Sequence, residues 1–195
     1  NPALLPLIEQ AFNDSDSEMR LAALEALEGV GGEKDEDYEE PDISDDIDND
    51  EPVSEELSDT EKQQILAMLE AAFNDVDPDV REQAMKTLLQ MEYDLQVEGF
   101  KLALQSSFDD VRSDAMHVTS TSANQDTILL AIFALDDPDP TIKESAQENL
   151  EFYIGKTFET SEEALKWWQT YKHLFDDDLF LEDLENLYII EDDEE

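Results

Sequence analysis

Cysteine is absent from this chain of 195 residues and basic residues are few: 11 lysines and arginines stand against 54 aspartates and glutamates, a net charge of -43. The lack of cysteine excludes disulfides, thiolate metal sites and cysteine nucleophiles. The lack of bases removes the attraction to phosphates on which DNA and RNA binding depends. The composition therefore predicts no direct nucleic-acid binding and favours a protein partner with a basic face.

Long apolar runs are missing as well. No stretch approaches the roughly 20 apolar residues that a membrane helix needs, so we expect no membrane insertion by this segment. The sequence begins at Asn1, which leaves room for a preceding signal or anchor. The compartment is therefore undefined, although a soluble chain favours the cytoplasm.

What the chain does contain is one recurring phrase: an apolar helical pattern, a short acidic turn and a second helical pattern. The phrase occupies residues 11–20, 72–81, 106–112 and 134–143, and its third copy has a turn that reads as shortened. The basic residue near its end recurs at a spacing of 31, from Arg81 to Arg112 and on to Lys143. A period of this length indicates stacked helix pairs. The predicted fold is all-α, a right-handed α-solenoid of about four antiparallel helix pairs with a C-terminal helical cap.

The first and second copies of the phrase are separated by residues 33–60, which hold 15 acids and one base, Lys34. Such a segment cannot bury enough apolar surface to offset chain entropy, so we expect a disordered acidic insertion. The predicted organisation is a first helix pair at 1–32, this insertion at 33–60, three further pairs at 61–155, a helical cap at 156–190 and an acidic tail at 191–195.

Helix starts and ends can be assigned from capping patterns. Ser15 with Glu18, and Ser58 with Glu61, have the spacing of capping boxes. Asp77 precedes a proline and is the expected N-cap of the next helix. Beyond Gly155 the repeat stops, and two cap helices are expected, the second of them starting near Leu179 and Phe180. In the first pair, the second helix is expected to turn inward the residues Met19, Ala22, Ala23, Ala26 and Leu27.

The second helices share a Val-Arg-x-x-Ala pattern after the acidic turn. Its copies lie at residues 19–23, 80–84, 111–115 and 142–146. This pattern resembles the HEAT repeat family, and most closely the short bacterial repeats related to phycobilisome lyases. The sequence departs from the family pattern at two points: its third turn reads as shortened, and Lys143 stands in place of arginine. The resemblance implies an interaction scaffold and names no partner.

The joints of the repeats, meaning the acidic turns with the basic residue that follows each, are the candidate structural sites. We interpret each basic side chain as pairing with a turn aspartate of its own or the next repeat, which sets the stacking register. A basic ladder that contacts a ligand is the alternative. The residues concerned are Asp14, Arg20, Asp75, Asp77, Arg81, Asp109, Arg112, Asp137 and Lys143.

The acids of the second turn, residues 75–79, resemble the start of a calcium loop. Such a loop needs glycine at its sixth position, where this chain has Val80, and Met19 in the first copy. We interpret both as inward-facing helix residues. No specific metal site, cofactor motif or catalytic set is expected, and weak, nonspecific binding of divalent cations follows from charge alone.

Trp167 and Trp168 are adjacent in the first cap helix. Neighbouring helical residues point about 100° apart, so both cannot face one core equally. We expect one to be buried against the fourth repeat, while the other is a candidate partner contact, because tryptophan is frequent at binding hot spots.

The function indicated is a non-enzymatic adaptor that binds a protein partner along its second helices. The alternative is a nucleic-acid mimic that occupies the groove of a DNA- or RNA-binding protein. Mimicry needs a continuous anionic stripe, whereas an adaptor keeps an apolar patch. Some HEAT-like proteins are bilin lyases or DNA glycosylases, but only repeat units are shared here. Adaptation to salty surroundings would be another cause of the acidity.

Overall fold

A computed structural model describes residues 2–31, 57–121, 124–176 and 179–180. Regular structure within these residues is helical, without any β-strand. The helices are α1 (Leu5–Phe12), α2 (Ser17–Gly31), α3 (Asp59–Phe73), α4 (Pro78–Leu89), α5 (Tyr93–Ala103), α6 (Asp109–Thr119), α7 (Gln125–Ala134), α8 (Pro140–Ile154) and α9 (Ser161–Tyr171). Short 3-10 turns precede α1 and follow α9. None of the described helices is long and apolar enough to cross a membrane.

The chain divides into two compact units, and unit 1 comprises residues 1–99. Here α1 packs against α2, and α3 packs against α4. The two pairs lie side by side, since α1 contacts α3 and α2 contacts α4. Their shared core is apolar and includes Leu24, Leu27, Leu69 and Phe73. At Gly99, in the middle of α5, this helix lies so close to α4 that an added side chain would overlap Leu88.

Unit 2 comprises residues 100–195, so the division between the units falls within α5. In unit 2, α6 contacts α7 and α8, α7 packs against α8, and α9 packs against α7. Ile128, Leu135, Leu150 and Trp168 are among its most deeply buried side chains. First helices contact each other in unit 1, and second helices contact each other in both units, which confirms the predicted all-α solenoid class of stacked helix pairs.

Two of the predicted helix starts are confirmed. The N–H of Ser58 donates to Glu61 Oε2 at 2.8 Å, and the N–H of Glu61 donates to Ser58 Oγ at 3.4 Å, which completes a capping box. Asp77 caps α4 by accepting the N–H of Asp79 at 3.0 Å. α8 ends before Gly155, which has a φ of 69°, a left-handed conformation that glycine adopts without strain, and the end of the repeats at this point stays a prediction.

The predicted cap of α2 is wrong by one residue. α2 begins at Ser17, and the N–H of Glu18 donates to Asp16 Oδ1 at 3.1 Å. The N–H of Asp16 in turn donates to Asp14 Oδ1 at 2.9 Å, a turn that places Asp16, and not Ser15, before the helix.

The third turn is not shortened, contrary to the expectation. Five residues, 104–108, separate α5 from α6, as many as the five residues, 135–139, between α7 and α8. The acids have moved instead: Asp109 and Asp110 lie inside the first turn of α6. The difference is therefore one of side chains and not of loop length.

The buried face of α2 also differs from the expectation. Ala23, Leu24 and Leu27 are buried, whereas Ala22 and Ala26 are exposed and Met19 is 45% exposed. Apolar residues follow one another without a gap from Leu21 to Leu24, so periodicity alone cannot orient this helix. Contacts with α1 and α4 decide which of them are covered.

Several predictions concern residues at the edges of the described ranges. Most of the predicted insertion, 33–56, lies outside the described residues, but 57–60 belong to unit 1: Leu57 is buried, Ser58 caps α3, and α3 begins at Asp59. Leu179 and Phe180 are not helical, since the N–H of Phe180 donates to Asp176 Oδ1. The rest of the predicted second cap helix and the acidic tail lie outside the described residues.

Candidate functional site

The turn between α3 and α4 is held by two consecutive aspartates. Asp75 Oδ1 accepts the N–H of Asp77 at 2.9 Å, and Asp77 Oδ1 accepts the N–H of Asp79 at 3.0 Å. The first contact closes the turn, and the second satisfies one of the N–H groups that the start of a helix leaves unpaired. Equivalent pairs of contacts come from Asp14 with Asp16 and from Asp137 with Asp139.

Arg20 ties the first repeat of unit 1 to the second. Its Nε donates to Asp75 Oδ2 at 2.7 Å and its Nη2 to Asp75 Oδ1 at 2.9 Å, a bidentate ion pair. Its Nη1 donates to the carbonyls of Asp14 and Ser15, both at 3.1 Å. One guanidinium thus fixes the turn of its own repeat and reaches the turn of the next.

Arg112 makes the same connection in unit 2. Its Nε lies 2.8 Å from Asp137 Oδ2 and its Nη2 lies 3.3 Å from Asp137 Oδ1. Its Nη1 donates to the carbonyl of Ser106 in its own turn at 2.9 Å. The side chains of Arg112 and Asp137 are only 11% and 4% exposed, so this ion pair is nearly excluded from water.

The environment of Asp75 lowers the pKa of its carboxyl group. Burial alone would raise the pKa, but the hydrogen bonds from Arg20 and from the N–H of Asp77 outweigh it. The Arg20 guanidinium responds in the opposite sense, because the hydrogen bond to Asp75 raises its pKa. Both groups are therefore charged at neutral pH.

The remaining two basic residues donate to backbone carbonyls, Arg81 within its own joint and Lys143 outside it. Arg81 is 9% exposed, and its Nη1 donates to the carbonyls of Asp75 and Val76 at 2.9 and 3.4 Å. Lys143 Nζ donates to the carbonyl of Glu159 at 3.0 Å, just before α9. The contacts of Arg81 favour a role inside its joint over a ladder that faces a ligand, and we propose that the joint arginines set the register between repeats.

The third joint is built from different side chains. Ser106 occupies the position of Asp75 and Asp137, six residues before the arginine, and its Oγ accepts the N–H of Phe108 at 3.1 Å. Phe108 occupies the cap position and makes no side-chain cap contact. Asp109, which the sequence suggested for this joint, accepts the N–H of the adjacent residue from within α6.

No group of three or more acidic or histidine side chains suited to a metal ion is found among the described residues. In the second turn, the oxygens of Asp75 and Asp77 accept hydrogen bonds from Arg20 and from backbone N–H groups. The predicted inward orientation is correct for Val80, which is buried, and wrong for Met19.

The two tryptophans lie in an aromatic cluster of unit 2. Trp168 is 1% exposed and its ring lies 5.7 Å from that of Phe175. Trp167 is half-buried, with ring centroids 5.1 Å from Tyr171 and 5.7 Å from Phe158. One tryptophan is therefore buried and its neighbour only half-buried, as expected for adjacent residues of a helix. The role of Trp167 as a partner contact stays a prediction.

The second helices of unit 2 carry acids on their exposed side. α6 and α8 contact each other, and the exposed residues on them include Asp110, Asp114, Glu144, Glu148 and Glu151. Of the basic residues of these helices, Arg112 donates into the joints and Lys143 donates to the carbonyl of Glu159. The exposed face of α6 and α8 is therefore anionic, and exposed Phe152 extends from the end of the α8 row.

A groove of about 650 Å³ lies at the edge of unit 2, where the α5–α6 turn, the α7–α8 turn and the start of α9 meet. Its lining includes Leu104, Phe133, Asp136 and Ser161. The N–H and the Oγ of Ser161 both donate to the Asp136 carboxylate, and these bonds hold the pKa of Asp136 below its ordinary value. Sequence reasoning missed this groove, because its walls come from three separate segments.

The class of protein that this architecture defines is the helical repeat protein, since within each unit helix pairs pack side by side and joint residues connect them. Residues 4–31 match the family model described as HEAT repeat. The prediction of a HEAT repeat is thereby confirmed for α1 and α2, while HEAT repeats in the later helix pairs and the narrower resemblance to short bacterial and lyase-type repeats stay predictions. HEAT repeats generally serve as protein–protein interaction scaffolds and are typically non-enzymatic. No curated protein matches this chain.

Proposed function

We propose that this protein is a non-enzymatic scaffold that binds a partner with a basic face along the exposed sides of its second helices. The observation that carries the proposal is the separation of charge across those helices. Arginines 20, 81 and 112 donate into the joints, while exposed acids on the same helices include Glu25, Glu82 and Asp114. An exposed face that carries more acids than bases attracts a cationic surface and gains affinity from electrostatic steering.

Unit 2 shows the arrangement most clearly. Glu144 and Glu148 lie one turn apart on α8, and Asp110 and Asp114 lie one turn apart on the neighbouring α6. Four residues of helix rise about 6 Å, so each row offers carboxylates at a spacing that successive basic side chains of an extended or helical segment can meet. Exposed Phe152 adds an apolar contact beside them.

The test compares two triple variants with the same change of net charge. The first, Glu144→Gln, Glu148→Gln and Glu151→Gln, removes the α8 row. The control removes three exposed acids from first helices: Glu9→Gln, Glu70→Gln and Glu98→Gln. Partners captured from source lysate at 100 mM salt should be lost with the first variant and retained with the control, and the capture should weaken as salt rises.

Equal loss in both variants would mean that net charge alone drives capture and would contradict the proposal. Nucleic-acid mimicry remains the second candidate, since rows of carboxylates resemble phosphates. The 81% exposure of Phe152 and the partly apolar groove of unit 2 support the adaptor instead, because a mimic of a phosphate backbone has no use for them. Competition with a scrambled polyanion for a basic nucleic-acid-binding protein distinguishes the two functions.

A further inference from the structure

The groove of unit 2 combines an apolar lining with a carboxylate at its edge. Leu104 and Ala134 are buried within its lining, and Phe133 is 49% exposed although it is one of the largest apolar side chains there. Large apolar groups left in water cost free energy that a covering group recovers. The groove is therefore suited to an apolar side chain.

Apolar surface continues beyond the groove on both helices that border it. Leu129 lies one turn before Phe133 on α7 and is 37% exposed, while Leu165 lies one turn after Ser161 on α9 and is 39% exposed. Residues four apart share a helix face. The exposed apolar residues thus form a strip that a segment longer than one residue can cover.

The charge at the groove selects a cation. Asp136 is exposed and accepts two hydrogen bonds from Ser161, which stabilise its ionised form. The arginine of the lining, Arg112, is engaged by Asp137 and by the carbonyl of Ser106. Lys143 acts on Asp136 from nearby, but its Nζ donates to the Glu159 carbonyl.

The same charge argues against other occupants. A second copy of the chain would bring a net charge of -43 to an acidic surface. The segments of the chain outside the described residues are rich in acids, and their basic residue is Lys34 alone. Like charges in contact are unfavourable. A partner segment with basic residues avoids this repulsion.

We propose that the groove binds one apolar side chain of a partner segment, with an adjacent lysine or arginine that contacts Asp136. The inference rests on the proposed function, because it assigns a second contact to the same basic partner. It adds a requirement that the acidic helix face does not impose: the partner needs an apolar residue next to its positive charges.

The test uses two fluorescent hexapeptides on the full chain. One has a central leucine flanked by arginines, and the other has serine in place of leucine. Fluorescence anisotropy at 50 mM salt gives both dissociation constants, and ¹⁵N–¹H spectra locate the site. The leucine peptide should bind about tenfold more tightly, which is the lower end of the gain from burying one such side chain.

Two variants remove the preference in different ways. Phe133→Ser deletes the apolar wall, and Ser107→Trp fills the groove from an exposed lining position. Either change should reduce the tenfold preference to less than about twofold. Phe180→Ser is the matched control, since it removes an exposed phenylalanine of unit 2 that does not line the groove.

The outcomes separate the groove from the proposed function. Equal binding of the two peptides, absence of binding at millimolar concentration, or a preference that survives both groove variants would overturn the groove proposal. If partner capture still depends on the α8 acids in those cases, the scaffold function stands without the groove. If the leucine preference is absent and partner capture does not depend on the α8 acids, the proposed function is refuted as well.

Discussion

The second and third joints solve the same structural problem with different side chains. In the second, Asp75 closes the turn and Asp77 caps α4. In the third, the Ser106 hydroxyl closes the turn and Phe108 provides no cap. Closing the turn therefore needs only an oxygen acceptor at the first position. A carboxylate there does a second task, because it can also receive an arginine from the preceding repeat, as Asp75 receives Arg20.

The largest effect is expected when a carboxylate is removed that both closes its own turn and pairs with an arginine of the preceding repeat. Asp137→Ala should destabilise the protein by about 3 kcal/mol, since it leaves the nearly buried Arg112 without its counter-ion. Urea unfolding followed by circular dichroism measures the loss. The control is Glu82→Gln, which removes the exposed partner of Lys86 and should leave the unfolding midpoint almost unchanged. A similar midpoint shift in both variants would contradict the assignment.

Asp75→Asn tests the charge of the second joint separately from its shape. The amide oxygen can still accept the N–H of Asp77, but the ion pair with Arg20 is lost, at a cost of about 2 kcal/mol at pH 7. Because the folded-state pKa of Asp75 lies below its ordinary value of 3.8, its contribution is complete above that pH and is lost as pH falls through the folded value.

The difference in unfolding free energy between wild type and Asp75→Asn should therefore stay constant from pH 7 to about 5 and shrink below 3.8. Unfolding curves recorded at several pH values give this profile. A difference that grows on acidification would show that the lowered pKa of Asp75 is not the source of the stabilisation.

Removing the cap of α4 should lower the free energy of unfolding by a smaller amount. Asp77→Ala should cost about 1 kcal/mol, the usual loss when an aspartate N-cap is replaced by alanine. Asp79→Ala, an exposed first-turn change two residues later, is the matched control and should cost clearly less. Thermal unfolding of the two variants compares them, and equal melting temperatures would argue that Asp77 does not act as a cap.

The smallest loss of unfolding free energy is expected for a substitution in the third joint. Ser106→Ala removes a neutral acceptor, so the loss should be about 0.5 to 1 kcal/mol, below that of Asp137→Ala. Both variants can be measured in the same urea titration. A loss at Ser106 as large as that at Asp137 would mean that turn closure, and not ion pairing, dominates the joints.

Much of the fold could be predicted because local chemistry and periodicity agree. The spacing of 31 located the joints, and the pairing of Ser58 with Glu61 and the position of Asp77 before proline fixed two helix starts. The cap of α2 was misassigned because Ser15 and Asp16 are both good cap residues. Alignment with Asp75 and Asp77 would have resolved the choice in favour of Asp14 and Asp16.

The site was less accessible from sequence. A basic residue after an acidic turn has several aspartates within reach, and the pattern left open whether the partner belongs to its own repeat or to the next. Arg20 finds Asp75, which is 55 residues away in the chain. The groove depends on how the turns beside Leu104 and Asp136 pack against Ser161. The periodicity of the sequence does not specify how these separate segments pack. Tertiary packing supplies both answers.

In two of the joints, the arginine of one repeat is a donor for the repeat that follows, and the aspartate of that following repeat is its acceptor. A duplicated copy of such a repeat would therefore carry both halves of the contact and could be inserted next to its parent without any new pairing chemistry. Arg20 with Asp75 and Arg112 with Asp137 are two instances of one transferable rule. Keeping an acid six positions before the basic side chain would preserve this contact when an array grows by whole repeats, and Ser106 shows that a repeat can also lack it.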